Sequence, residues 1–200
     1  MAGEGKEYVD LGAQNKMLFL GDYDGYYASV DDDLEYPSNY IEQMKKRVDF
    51  YNRERICSLH GMVWELANGC VIDKRRRAGF WQYFQNNEED HLCHCVGMGV
   101  AMYYPKKIKL NKFFYLNYPK NIGDDQITAV WSMVTGTKLM QVNNIGIDVK
   151  PTSYAYKGMY SDKMGRIVRE NFVKSYKHWK EIDIPTNEYL NDGYGNSIHN

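Results

Sequence analysis

Gly25-Tyr26-Tyr27-Ala28-Ser29-Val30-Asp31-Asp32-Asp33 is the stretch that decides the fold: an aromatic-rich strand ending directly in three aspartates. Aromatic and β-branched residues favour a pleated backbone, and the acidic run breaks it. A strand that ends in carboxylates puts fixed negative charge at the carboxyl edge of a sheet, where open α/β sheets bind ligands. Asp31 and Asp33 are two apart, so on an extended backbone both side chains leave the same side. Hard oxygen donors of this kind suit Mg2+ or Mn2+, which keep several waters and also bind substrate phosphates. A solvated acidic turn in front of the next helix is the competing reading of the same residues.

Outward from the triplet, Pro37 and Ser38 open a helix reaching about Asn52, with Ile41, Met44, Val48 and Tyr51 at helical spacing. Asn39 and Glu42 stand in the order of a capping box. Residues 56–59 read as the next strand, followed by His60-Gly61; residues 63–64, 70–72 and 100–103 read as further short strands. Lys74-Arg75-Arg76-Arg77 and residues 86–90 read as exposed turns. Asp124 and Asp125 open a helix through Ile127, Val130, Trp131 and Val134, with Gly136 placed to stop it. A strand over 138–142 follows, then an amphipathic helix over 161–179 with Met164, Ile167, Val168 and Phe172 on its apolar side. Strands alternating with helices predict an α/β architecture, a mixed sheet flanked by helices. One domain over residues 1–185 and a loose tail over 186–200 are expected.

The chain has 200 residues, 44% of them hydrophobic, enough for one domain with a core. A net charge of −1 gives no general reason to expect a polyanionic partner, so Lys45-Lys46-Arg47 and residues 74–77 read as solvated faces, not a nucleic-acid surface. The second cluster is also a candidate for contact with a diphosphate, an acidic glycan or an anionic membrane surface. No apolar run approaches the roughly 20 residues that span a bilayer. With no apolar secretory stretch at the N-terminus, the expected location is cytoplasmic, with peripheral membrane contact as an addition. Cys57, Cys70, Cys93 and Cys95 are then reduced. A zinc site from His91, Cys93, His94 and Cys95 is disfavoured, because neighbours on a strand point to opposite faces.

Asp31-Asp32-Asp33-Leu34, followed by Tyr36-Pro37 and Asn39-Tyr40-Ile41, resembles the DxD region of glycosyltransferases with the GT-A fold, of the family 2-like bacterial type. Leu11-Gly12-Ala13-Gln14-Asn15-Lys16 resembles the segment these enzymes place ahead of the DxD strand. Gly97-Met98-Gly99 resembles an acceptor-side loop, and Gly123-Asp124-Asp125-Gln126 the acidic motif at a helix start. Gly136 with residues 139–142 matches the turn and strand that follow, so the resemblance covers about 11–149.

The resemblance implies an inverting, metal-dependent transfer of a hexosyl group from a nucleoside-diphosphate sugar to a glycan or lipid-linked acceptor, for polysaccharide biosynthesis. Mn2+ or Mg2+ would sit on Asp33 and Asp31, with Asp31, Asp32, Asn15 and Lys16 on the nucleotide sugar. Asp125 would be the base, with Asp124 beside it. The plainer reading is that both aspartates cap a helix, where the dipole favours carboxylates. Gly97 and Gly99 would let backbone approach the acceptor, with His60, Trp64 and Trp81 as stacking candidates. Such enzymes place two or more strand–helix units before the DxD strand to hold the nucleotide base. Thirty residues precede Asp31 here, so a fragment, a start set too late or an N-terminally shortened member is expected. A non-catalytic relative that binds glycan or another protein is the alternative.

Overall fold

The computed structural model describes residues 12–73, 77–120, 122–152 and 163–182. A 3-10 helix, Gly12–Met17, precedes the first strand. The elements then run β1 (Tyr27–Val30), β2 (Leu34–Glu35), α1 (Tyr40–Phe50), β3 (Arg55–Ser58), β4 (Gly61–Trp64), β5 (Leu66–Ala67), β6 (Cys70–Val71), β7 (Arg77–Trp81), β8 (His91–Cys93), β9 (Cys95–Val96) and β10 (Val100–Tyr103). They continue with α2 (Pro105–Ile108), α3 (Lys112–Leu116), α4 (Asp124–Thr135), β11 (Lys138–Gln141), β12 (Lys150–Pro151) and α5 (Lys163–Lys174).

Among the described residues, β1, β10, β3, β11 and β8 form a five-stranded sheet in that order. β3 and β11 run parallel and the other neighbours antiparallel, so the sheet is mixed and the chain is an α/β protein. A three-stranded sheet, β7-β4-β9, stands beside it, and β12-β2 and β5-β6 are two-stranded ribbons.

The central strands are buried on both faces, and successive side chains divide between two clusters. Ala101 and Tyr103 of β10, Ile56 of β3 and Leu139 of β11 enter one cluster. Val100 and Met102, Cys57 and Met140 enter the other. This is the period of two that a strand imposes, and burial on both sides explains apolar runs in place of clean alternation. Tyr40, Met44 and Val48 of α1 cover the second face. Ile127 of α4, Tyr115 of α3, Met17 and Leu20 cover the first. Each such side chain, removed from water, contributes roughly 1.5–3 kcal/mol. A third cluster, with Trp64, Cys95, Ala129, Val130, Val173 and Trp179, joins the smaller sheet to α4 and α5.

Gly136 ends α4 as its position predicts, at φ 74° with its N–H donating to the Ser132 carbonyl at 2.8 Å. Elsewhere the structure corrects the sequence reading. Asn39 makes no side-chain cap: its Nδ2 donates to the Gly146 carbonyl at 3.0 Å, while Glu42 pairs with Lys46. Residues 86–90 are exposed at Asn86, Glu88 and Glu89, as expected, but the other two positions are tied down. The Asn87 amide donates to Asn144 Oδ1 at 2.8 Å, and Asp90 accepts from the Tyr51 hydroxyl and the Asn143 amide. The last helix stops at Lys174, and the chain runs on so that the Trp179 backbone N–H donates to the Gly69 carbonyl at 2.9 Å. On that helix Val168 and Phe172 pack inward, whereas Ile167 is exposed. The Met164 side chain, Leu11, residues 74–76, Ser161 and the tail 186–200 lie outside what is described. Among the described residues no helix is long and apolar enough to cross a membrane.

Gly61 shows how closely β4 packs on its neighbours: a Cβ there would meet Cys93 Sγ at 2.5 Å and Gln141 Cβ at 2.6 Å. Gly61→Ala is expected to destabilise the fold by about 1–3 kcal/mol, as overpacking does in tight cores, measured by urea unfolding.

Candidate functional site

β1 pairs with β10 so that Val30 faces Val100, which sets Asp31 beside Gly99 just past the last rung. A Cβ on residue 99 would fall on the Asp31 carboxylate, so this glycine makes room for the aspartate. Tyr36 closes the corner. Its hydroxyl accepts the Asp31 N–H at 2.8 Å and donates to the Gly99 carbonyl. The backbone of the triplet's first residue is thereby held by a phenol, while its carboxylate lies against a glycine.

The second acidic motif arrives at the same place through Lys16. The 3-10 helix carrying this lysine is pinned on two sides. Gln14 Nε2 donates to the carbonyls of Tyr118 and Pro119 at 3.1 and 2.9 Å, just ahead of α4. The Tyr27 hydroxyl, on β1, donates to the Lys16 carbonyl. Lys16 Nζ then ion-pairs with Asp31 and lies 3.3 Å from Asp124 Oδ2. At the start of α4, the Gly123 N–H donates to Gln126 Oε1 at 3.1 Å, and Asp124 Oδ1 accepts the Asp125 N–H at 3.0 Å. Asp125 Oδ1 accepts the Gln126 N–H at 2.9 Å. Gly123 is the N-cap residue and both aspartates stand in the first turn, where the helix dipole favours carboxylates, while Asp124 has a second oxygen left for the lysine.

Burial sets the electrostatics. Asp124 is 6% exposed, and burial pushes its carboxyl up to about 6 even though Lys16 pulls it down; Asp125 and Asp31 push the same way as burial. For Lys16, burial acts against the charged form, but the carboxylates of Asp124 and Asp31 outweigh it and hold the ammonium well above its usual range. The partners respond unequally because the ammonium faces two carboxylates, while Asp124 faces one ammonium and two like charges. Asp33 is raised by partial burial and then by the charge of Asp31, with a smaller push from Asp32. Carboxylates crowded in this way favour a cation between them, and two of them suffice for Mg2+ or Mn2+, whose other positions go to water and phosphate. Asp31 and Asp33 thus fit such an ion by donor type. No group of three or more His, Cys, Asp or Glu that could hold a metal forms among the described residues.

The remaining expected site residues divide. Asp32 and Asn15 are exposed near the triplet and the 3-10 helix. Gly97 lies in the turn before β10, where its N–H donates to the His60 carbonyl at 2.9 Å and a Cβ would meet His60 Cβ at 3.0 Å. His60 stands edge-on to Phe80, and burial with the Arg77 charge lowers it to about 4, so the ring is neutral. Trp64 is corrected: it is buried in the third cluster, edge-on to Trp179 and stacked on His94, with no face left for a sugar. Trp81 is likewise buried and stacked on His91 at 4.0 Å. His94 is a structural bridge, accepting the Trp64 backbone N–H on Nδ1 at 3.0 Å and meeting the Lys180 carbonyl through Nε2 at 2.6 Å. The bridging role of Tyr36 was not assigned from the sequence, although its place in the DxD-like motif was the available signal.

A scan against protein-family models and a search of curated proteins return no match. The geometry of the site carries the functional argument.

Two substitutions test this geometry. Between its ordinary value of 3.8 and about 6, native Asp124 binds a proton that the unfolded chain has released, so its contribution to stability falls as pH rises through that window. Asp124→Asn should remove this slope, a difference from wild type of the order of 3 kcal/mol between pH 4 and 7 at 1.36 kcal/mol per pH unit. Urea unfolding across that range measures it. Tyr36→Phe strands the Asp31 amide and the Gly99 carbonyl and should cost about 1–3 kcal/mol, read from thermal unfolding.

Proposed function

We propose that this chain is a glycosyltransferase of the GT-A type that moves a sugar, with inversion, from a nucleoside-diphosphate donor to a glycan or lipid-linked acceptor. The observation that carries the reading is the meeting of two acidic motifs, Asp31 at the end of β1 and Asp124 at the start of α4, on one ammonium. Sequence order alone keeps them far apart, and the sheet and the 3-10 helix bring them to one edge.

Asp33 and Asp31 would hold Mn2+ or Mg2+, which supplies Lewis-acid neutralisation of the departing nucleoside diphosphate. Lys16 adds a fixed positive charge to the same edge. Asp125 is the base: it is partly exposed, whereas Asp124 is buried against Lys16. In its carboxylate form Asp125 takes the acceptor hydroxyl proton as the new C–O bond forms on the face opposite the leaving group. Capping Gln126 holds the Asp125 carboxylate in place. Asp124 keeps the helix start attached to the triplet.

Thermal unfolding with a panel of nucleoside diphosphates, with and without Mn2+, tests the donor site. A ligand at 100 times its Kd adds about 2.7 kcal/mol. A Mn2+-dependent shift with one diphosphate, absent in Asp33→Ala, is expected. Asp125→Asn should keep that shift while transfer falls by about 10²–10⁴-fold, the usual range for a general base. No shift with any diphosphate would leave the glycan-binding, non-catalytic relative as the better reading.

A further inference from the structure

The lysine at this edge has features beyond those of a donor-binding charge. Its carbonyl is held by the Tyr27 hydroxyl of β1, Gln14 two residues earlier ties the same 3-10 helix to the segment before α4, and the lysine side chain is about three-quarters covered, at 27% exposure. Its ammonium lies on Asp31, a carboxylate that the donor-site reading assigns to the metal. Its other partner is Asp124 Oδ2, a buried oxygen that accepts no hydrogen bond. A carboxylate oxygen so placed needs a cation beside it, because a buried charge without one is costly. The Asp31 carboxylate lies against Gly99 and Tyr36 holds its amide, so lysine and a competing cation meet this residue at one place.

We infer that Lys16 is the resident counter-ion of the site: it keeps Asp31 and Asp124 together and competes with a divalent cation for Asp31. This rests on the assignment of Asp31 and Asp33 as metal ligands. When a divalent cation takes Asp31, Asp124 retains the ammonium, whose N–H donors are freed toward the same space. A phosphate oxygen is the ligand that chemistry suits, with lysine acting as a point charge.

The test is Mn2+ binding without nucleotide, followed by electron paramagnetic resonance and by thermal unfolding, on wild type, Lys16→Met and Lys16→Arg. Removing a unit positive charge a few ångströms from the ion should tighten Mn2+ binding about tenfold or more at the effective dielectric of a protein surface. Lys16→Met should be less stable without metal and recover more on adding Mn2+ than wild type does, while Lys16→Arg stays near wild type. A lysine that only glues two elements together gives the opposite sign, with Mn2+ binding unchanged or weaker in Lys16→Met, and that result would overturn the inference. Should Lys16→Met fail to fold, the same comparison is made in Asp124→Asn, where no buried charge is left unpaired; equal Mn2+ affinity there overturns it as well. Asp33→Ala separates the two claims. If it binds Mn2+ as wild type does, the metal-site assignment itself falls, whatever Lys16 shows.

Discussion

An ammonium shared by two carboxylates from distant parts of the chain is the constraint around which this edge of the molecule is built. Lys16 meets Asp31 at a strand end and Asp124 at a helix start, and none of the three is fully solvated. Ion pairs at an open surface contribute little, because water screens them and long side chains lose entropy. Here the desolvation of Asp124 is already imposed by the packing of α4, and removing the lysine would leave that charge uncompensated. The pair therefore matters less for the stability it adds than for the geometry it enforces. It demands that the 3-10 helix, β1 and α4 arrive at one point, and the Gln14 and Tyr27 hydrogen bonds supply the means.

That convergence depends on the central sheet. Because β10 is buried on both faces, it can carry α1 on one side and α4 on the other, and its register with β1 fixes where the triplet begins. These elements were legible in the sequence. Val100 to Tyr103 is an apolar run of strand length, and α4 is framed by aspartates at its start and a glycine at its end. What escaped has a common cause. Asn39, Asn87 and Asp90 are typical turn and cap residues, but each spends its side chain or amide on a partner more than 35 residues away. Local propensity says where such residues are tolerated and is silent about distant partners. The two short helices after β10, Pro105–Ile108 and Lys112–Leu116, carry too few residues for a periodic pattern to register.

The site was legible in the same uneven way. Clustered carboxylates after a strand and at a helix start are visible because their chemistry is local. Gly99 was read as a place where backbone approaches a sugar, but the structure gives it a nearer neighbour, the Asp31 carboxylate. Trp64 was read as a stacking platform from its ring alone; the strand that carries it faces α4 and α5, and burial removes the option. A side chain's chemistry can be read from the sequence, but its direction depends on which sheet its strand joins.

Adjacent aspartates at one helix start illustrate how environment separates identical groups. Asp124 and Asp125 share a helix dipole, and each accepts the N–H of the residue that follows it. Only Asp124 is buried, raised by that burial and tied to Lys16. A carboxylate committed in that way is poorly suited to collecting a proton from a substrate, since any change in its charge disturbs the pair that holds the site together. Its neighbour Asp125 is only partly buried and keeps contact with solvent. Under the proposed function, the two roles that the chemistry requires, an anchor and a base, would be divided by packing and not by residue type.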